Sequence, residues 1–213
     1  MAVVFTEHRI PNSPIMLRVA KGHFATSHSH INYYVDLTRT KHRLSEAKEA
    51  AKQLAKMYKQ STIVDTILCL DGTEVVGACI ARELTEKGFR SINEFSTIDI
   101  VTPEHTTGSQ LIFRDNLVST IRGKHVLILA ASITTGYTVQ GGIEAVKYYG
   151  GMTVGVCSIF ASVDECFGYP VTSIFNTKDL LQDYESKPYS ECPLCKEGVP
   201  VDAIVNTYGI SKF

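Results

Sequence analysis

The chain of 213 residues is long enough for one domain of ordinary size, and its 44% hydrophobic and 20% charged residues are typical of a globular protein rather than a disordered or fibrous one. Its formal net charge of −1 excludes a general electrostatic attraction to nucleic acid or to acidic membranes. No apolar run approaches the roughly 20 residues needed to span a bilayer.

The N-terminal stretch "MAVVFTEHRIPNS" has neither the basic start nor the long apolar run of a signal peptide. We therefore expect a cytoplasmic protein with no membrane and no nucleic-acid partner. In that reducing compartment its six cysteines are expected to be free thiols or, in part, metal ligands rather than disulfides.

The first clear element is a helix at "LSEAKEAAKQLAKMYK", which Ser45 is able to cap. It follows a mixed segment, residues 15–37, that is rich in histidine together with the nearby His42. The helical repeat places five residues on one inward face: Ala47, Ala51, Leu54, Ala55 and Tyr58.

The chain then alternates between apolar runs and helical patterns. "STIVDTILCL" predicts a buried strand, "DGTEVVGACIARELTEKG" a tight turn and a helix that stops at Gly88, and "TIDIV" a second strand. A polar loop at 102–110 and a short helix around "FRDNLVSTI" lead to the apolar strand "HVLILAA". The helix "TVQGGIEAVKYYG" and the strands "MTVGVCSIF" and "VTSIF" follow. This alternation predicts an α/β fold, with a mainly parallel central sheet flanked by helices.

The loop "SITTGYT" (132–138) lies between a strand end and a helix start, where open parallel sheets bind their ligands. Unpaired N–H groups at a helix N-terminus attract anions, and Thr134, Thr135 and Thr138 add hydroxyl donors. Gly136 permits close backbone approach or a positive φ. The loop is compatible with a phosphate site and, equally, with an ordinary capped turn.

The stretch "VLILAASITTGYT" (126–138) resembles the ribose-phosphate loop of the type I phosphoribosyltransferases, where an apolar strand runs into two acidic residues and a T-T-G-x-T loop. "KGHFATSHSHINYYVDL" (21–37) and "CPLCKEGVP" (192–200) resemble segments of the orotate phosphoribosyltransferase branch. The resemblance covers roughly residues 15–200. It implies one domain over 1–213, with a hood and base-pocket segment at 1–45, a core at 60–176 and a cysteine-containing tail at 186–213.

The resemblance also implies roles for particular residues. The phosphate of phosphoribosyl pyrophosphate would be held by Ser132, Thr134, Thr135, Gly136, Tyr137 and Thr138. The pyrophosphate would lie at the turn of Asp71, Gly72, Thr73 and Glu74, and the base against Thr26, Ser27, His28 and Ser29, which are otherwise a polar surface loop. Carboxylates beside a polyanion imply Mg²⁺ between them; the alternative for Glu74 is an interaction with the dipole of its helix.

The family's mobile catalytic loop, which carries lysines and a histidine, corresponds to residues 101–110. His105 lies at the place of the histidine, and is either a proton donor or an ordinary solvated side chain. The lysines that would neutralise the departing pyrophosphate are absent from this stretch.

The acidic pair is replaced by Ala130 and Ala131, which cannot assist the positive charge that develops on the ribose. Ser132 offers only a neutral hydrogen bond, weaker than a charge-assisted one. The region "CSIFASVDECFG" also lacks the arginine that usually anchors orotate. A replacement carboxylate, such as Asp71 or Asp99, would have to come from elsewhere.

Cys192 and Cys195 have the spacing of half a tetrahedral zinc site. The remaining ligands are expected from Cys157, from Cys166, from a histidine such as His28 or His30, or from a second subunit. The alternative is a pair of reduced thiols on a terminal turn.

We therefore expect an orotate phosphoribosyltransferase-like protein that binds a ribose 5-phosphate ligand and, by analogy with the family, forms a homodimer. If active, it transfers phosphoribosyl to a nitrogenous base with Mg²⁺, but the missing charges predict very slow or absent turnover. The alternatives are a non-catalytic nucleotide-binding or regulatory protein on the same fold, and a metal-stabilised interaction protein in which the loop is only structural.

Overall fold

The computed structural model describes residues 3–9, 13–86, 91–106, 110–177 and 182–213. Its helices are α1 Thr38–His42, α2 Leu44–Ala55, α3 Glu74–Thr85, α4 Asp115–Val118, α5 Tyr137–Tyr148 and α6 Pro193–Lys196. Its strands are β1 Phe5–Arg9, β2 Met16–Ala25, β3 His30–Asp36, β4 Thr66–Cys69, β5 Asp99–Val101, β6 Glu104–His105, β7 Leu111–Ile112, β8 His125–Ile133, β9 Met152–Ala161, β10 Glu165–Cys166, β11 Tyr169–Asn176, β12 Ser186–Lys187, β13 Ala203–Asn206 and β14 Gly209–Lys212.

The central sheet has the strand order β10-β11-β9-β8-β4-β5. The pairs β11/β9, β9/β8, β8/β4 and β4/β5 are parallel, and only the short edge strand β10 runs antiparallel in the described sheet. Strand β8 lies in the middle and is buried along most of its length, as its apolar sequence requires. The predicted α/β fold with a mainly parallel sheet is therefore confirmed.

Helices cover both faces of this sheet. Alternate residues of β4 and β8 point to opposite faces, so that Ile67 and Leu127 pack with α2 and α3, whereas Leu68 and Ile128 pack with α5. The inward face predicted for the first long helix is confirmed, since its five residues are all buried.

A second sheet, of order β12-β3-β2-β13-β14 with β1 on β2, forms a hood beside the core. Strands β2 and β3 form an antiparallel hairpin. Strand β13 pairs in parallel with the end of β2, joining Ala203 to Phe24 and Ile204 to Ala25. The hood is therefore built from both ends of the chain.

Local details differ from the sequence predictions. Ser45 does not cap α2, because α1 ends at His42 and the chain turns at Arg43, so that α2 already begins at Leu44. Within the predicted polar loop, β6 pairs antiparallel with β7, which follows the loop, while residues 107–109 lie outside the described residues. The following helix is only four residues long. Gly88 lies outside the described residues. Across the described ranges, no helix is long and apolar enough to cross a membrane.

Candidate active site

A single pocket collects three of the segments that the sequence singled out. It opens beyond the carboxyl ends of β4 and β8, which are neighbours in the sheet, and below the hood. Its lining includes all four predicted base-side residues, Asp71 from the turn after β4, and four residues of the predicted phosphate loop: Ser132, Thr134, Thr135 and Thr138.

The phosphate loop has the backbone geometry expected of an anion site. Gly136 precedes α5 with φ of 80°, and no side chain of the helix start hydrogen-bonds to the first-turn N–H groups. A Cβ at Gly136 would lie 2.6 Å from Cys166 Sγ, so this position requires glycine for space as well as for its φ. The ring of Tyr137 is exposed and lies outside the described pocket lining.

The base-side loop contains hydrogen bonds among its own residues and one to β12. Thr26 Oγ1 accepts from the N–H groups of His28 and Ser29 at 3.2 and 2.9 Å, and donates to the Ser29 carbonyl oxygen at 2.8 Å. Ser186 Oγ from β12 donates to Ser29 Oγ at 3.0 Å. The loop is therefore a built wall of the pocket, with Ser29 buried and His28 exposed.

The turn after β4 brings a carboxyl group into the pocket. Asp71 has φ of 59°, a left-handed conformation that is strained for a residue with a side chain. Burial raises the pKa of the Asp71 carboxyl, while Lys41, the backbone N–H of Ala131 and His105 act in the opposite direction. Of the described acidic residues, Asp71 alone lines the pocket, and Asp99 does not.

The other residues of this turn have structural partners. Thr73 Oγ1 donates to the carbonyl oxygens of Leu70 and Leu129, which ties the turn to β8. Glu74 is the first residue of α3 and accepts a hydrogen bond from Thr102 Oγ1 at 3.0 Å. Its position agrees with the helix-dipole interpretation, and it lies with Gly72 and Thr73 outside the described pocket lining.

Lys41 is a pocket residue that the sequence motifs did not reveal. Its Nζ donates to the carbonyl oxygen of Asp71 at 2.9 Å and to that of Thr207 at 2.6 Å. Burial lowers the pKa of the ammonium, against the opposing effect of Asp71, Glu74 and Asp36. Lys41 lies in a short helix with no family motif, so no sequence signal pointed to it. It supplies a cation beside the turn predicted to hold pyrophosphate.

Ala130 and Ala131, which stand where the family has its acidic pair and which we call the hinge, are not equivalent. Ala130 is completely buried in the cluster between the sheet and α5. Ala131 packs on the opposite face and also lines the pocket, next to Asp71. The pocket therefore has a carboxyl group close to the hinge, but it comes from the neighbouring turn.

His105 lies at the edge of this arrangement. It is exposed on the hairpin β6–β7 and lies outside the described pocket lining. Its charge nevertheless acts on the Asp71 carboxyl. The structure thus brings it near the pyrophosphate turn without placing it in the pocket.

A second group of reactive side chains lies in the hood. His23, His30, Cys192 and Cys195 offer four ligand atoms that all lie within 4.8 Å of one another, so the group could hold a metal ion. The predicted pair of cysteines and His30 belong to it, and His23 was missed. Cys157 is buried in the core, Cys166 lies against Gly136, and the ring of His28 faces Tyr137. His23 precedes His30 by seven residues and lies on the other strand of the hairpin. This spacing is a sequence signal that could have identified His23 as a ligand.

The donor set of this group fits a four-coordinate ion. Cys192 Sγ and Cys195 Sγ each lie 3.5 Å from His23 Nε2, and Cys195 Sγ lies 3.2 Å from His30 Nδ1. Ligands around tetrahedral zinc stand about 3.3–3.8 Å apart. The distance between His23 Nε2 and His30 Nδ1 is 2.8 Å, which an ion would widen by about 0.5 Å.

Comparison with known proteins agrees with this architecture. No family model matches the chain. The orotate phosphoribosyltransferase of Chlorobium phaeobacteroides is 30% identical over 200 residues, covering 90% of this chain and 95% of that protein. The enzyme of the same name from Chlorobaculum parvum is 29% identical over 183 residues, covering 85% and 86%.

A solved structure shows the same fold. The orotate phosphoribosyltransferase of Mycobacterium tuberculosis in complex with 5-phospho-alpha-D-ribosyl 1-diphosphate aligns with a TM-score of 0.52 and 19% identity, covering 69% of this chain and 82% of that chain. Since a relative at 30% identity spans nearly the whole length, the chain belongs to the type I phosphoribosyltransferase family, on the orotate phosphoribosyltransferase branch.

Proposed function

We propose that this chain binds a ribose 5-phosphate compound, either phosphoribosyl pyrophosphate or a nucleotide, in the pocket below the hood. The observation that carries the proposal is the convergence of the base-side loop, the turn at Asp71 and the loop 132–138 on one pocket. The phosphate lies against the loop 132–138, where first-turn N–H groups and threonine hydroxyls converge. The base lies against Thr26–Ser29.

The charges of Lys41 and Asp71 support a subsite for pyrophosphate or ribose between the loop 132–138 and the base-side loop. The Lys41 ammonium uses two of its three hydrogens on carbonyl oxygens, and one remains for a ligand oxygen. Asp71 offers a carboxylate oxygen to Mg²⁺, a hard cation that prefers oxygen ligands and substrate phosphates. The relative with bound phosphoribosyl diphosphate gives this ligand class a precedent.

Transfer of phosphoribosyl to a base is the activity that this branch suggests, and we expect it to be very slow. Ala131 faces the pocket where the family has an acidic residue, and lost electrostatic stabilisation of one group commonly lowers rates by about 10²–10³. A non-catalytic nucleotide-binding or regulatory role is the second candidate, and the apolar hinge is the observation that favours it. An assay for orotidine 5′-monophosphate from orotate separates the two: slow turnover above the uncatalysed background supports the first candidate, and none above it supports the second, while ordinary turnover would contradict both expectations.

Two further parts of the proposal concern metal and assembly. The His₂Cys₂ group takes Zn²⁺, because borderline-soft imidazole and thiolate ligands at tetrahedral spacing suit that ion. The chain forms a homodimer, as its branch suggests. Light scattering of the purified protein tests the dimer, and a monomer mass would contradict it.

Calorimetric titration tests the ligand site, with inorganic phosphate, ribose 5-phosphate, uridine 5′-monophosphate and phosphoribosyl pyrophosphate, each with and without Mg²⁺. Thr135→Val removes one hydroxyl donor to a charged group, and we expect about tenfold weaker phosphate binding. Thr153→Val, at the amino end of β9, is the matched control. Equal affinities for all three proteins would refute the phosphate site. Gly136→Val is unsuitable, since it would clash with Cys166.

A further inference from the structure

The four residues of the His₂Cys₂ group come from segments far apart in the chain. His23 lies on β2, His30 opens β3, and the two cysteines flank the start of α6. Hydrophobic packing does not explain this group, because it brings two imidazoles and two thiols together. A bound ion would explain it. An ion held here would join the hairpin β2–β3 to residues 192–195.

A hydrogen bond to the backbone orients the His23 ring so that it can act as a ligand. Its Nδ1 lies 2.9 Å from the carbonyl oxygen of Val199, and as a donor there it leaves the Nε2 lone pair for a metal. His23 and Cys192 are buried, and both remaining ligands are half-buried. Four protein ligands leave no open coordination position, so the site has a structural rather than a catalytic donor set.

The group is connected directly to one wall of the ligand pocket. The chain between His23 and His30 contains the whole base-side loop Thr26–Ser29, so both ends of that loop are fixed by metal ligands. All four residues of the loop line the pocket. An ion at the group therefore sets the position of these residues without touching the ligand.

The same group is connected to a second part of the pocket wall. Asp202 Oδ2 accepts from the His23 N–H at 2.9 Å, and the Asp202 N–H donates to the His23 carbonyl oxygen at 2.8 Å. From Asp202 the chain enters β13 and then reaches Asn206 and Thr207, which line the pocket. The carbonyl oxygen of Thr207 is also a partner of the Lys41 ammonium.

We propose that a zinc ion bound by His23, His30, Cys192 and Cys195 positions both hood walls of the pocket, so that the base half of the ligand binds more tightly to the metal-loaded protein than to the metal-free protein. This inference rests on the proposed ligand site. The phosphate loop belongs to the core and not to the hood, so inorganic phosphate binds with or without the ion. Metal loading thus separates recognition of the base from recognition of the phosphate.

The test uses the full-length protein before and after treatment with a chelator, with metal content measured by plasma mass spectrometry. We expect about one zinc per chain, and we expect about tenfold weaker binding of uridine 5′-monophosphate after its removal, because the loop and tail must then be ordered on binding. The affinity for inorganic phosphate should not change. Cys195→Ser should reproduce the metal-free protein, whereas Cys79→Ser, which alters a thiol on α3 outside the group, should resemble the wild type.

Hydrogen exchange gives a readout that does not depend on any ligand. Removal of zinc should increase amide exchange at Thr26–Ser29 and at Ala203–Asn206, while α5 remains protected. Absence of zinc from the wild type, or unchanged exchange after its removal, would overturn the proposal. If neither nucleotide nor phosphate bound to the zinc-loaded protein, the proposed function would fail, and the exchange data would still decide whether the ion orders the hood.

Discussion

The imidazole of His28 and the phenol ring of Tyr137 lie with their centroids 5.7 Å apart and their planes tilted by 55°. This contact joins the base-side loop of the hood to the first residue of α5. Both side chains are exposed, and His28 also lines the pocket.

We expect Tyr137→Ala to weaken binding of uridine 5′-monophosphate by about 2–10-fold, the value of one aromatic pair. Binding of inorganic phosphate should change less, because the ring lies outside the lining of the phosphate loop. Tyr148→Ala, on the far end of the same helix, is the control. Calorimetry decides the matter, and equal losses for both ligands would show that the helix start itself had been damaged.

Replacing Ala130 or Ala131 by aspartate should change stability to different extents at the two positions. Ala130→Asp places a charge in the fully buried cluster against α5, and we expect a loss of about 3 kcal/mol or more in the free energy of unfolding. Ala131→Asp places its carboxyl group at the pocket and should lower the free energy of unfolding clearly less. Urea unfolding of the two variants measures the difference, and similar losses would contradict the pocket-facing position of Ala131.

The Asp71 carboxyl predicts a pH dependence of stability. Its pKa is raised by burial, so between the unfolded value and the folded value the native state binds more protons than the unfolded state. The free energy of unfolding therefore falls as the pH rises from about 4 through the folded pKa.

Asp71→Asn should remove that fall and be more stable than the wild type near neutral pH, while Mg²⁺-dependent binding of phosphoribosyl pyrophosphate becomes weaker. Urea unfolding between pH 4 and pH 8 measures the first effect. Asp99→Asn, outside the pocket, serves as the control. If the variant has the same pH profile as the wild type, the Asp71 carboxyl does not cause the fall in the free energy of unfolding.

Tyr58, in the turn that follows α2, joins this part of the chain to the central sheet through its hydroxyl group, which donates to Val156 O and Thr172 Oγ1, both at 3.1 Å. Tyr58→Phe leaves these buried acceptors without the hydroxyl, and we expect a loss of about 1–2 kcal/mol in the free energy of unfolding. Gly155→Ala should also destabilise, because its Cβ would lie 2.5 Å from Tyr58 Cε1. Tyr148→Phe at the surface should change stability by under about 0.5 kcal/mol in the same urea experiment.

The core could be predicted from sequence because local patterns determine it. The apolar run of β8 and the inward repeat of α2 each indicate their own burial, and the loop 132–138 carries its glycine and hydroxyl groups in one continuous stretch. The residues that were missed act over long distances in the chain. Lys41 contacts Thr207, and His23 contacts Cys192, only after the hood sheet has formed. No local periodicity in the sequence predicts contacts between residues so far apart in the chain.

The parallel pairing of β13 with β2 has a consequence for how the chain is made. His23 and Asp202, which are bonded at this junction, are separated by 179 positions. During synthesis, therefore, the end of β2 at Phe24 and Ala25 exists for most of the time without β13, as an open strand edge of the kind that pairs with other chains. Until its own last strands are available, each new molecule can accept the C-terminal hairpin of a neighbour at this edge.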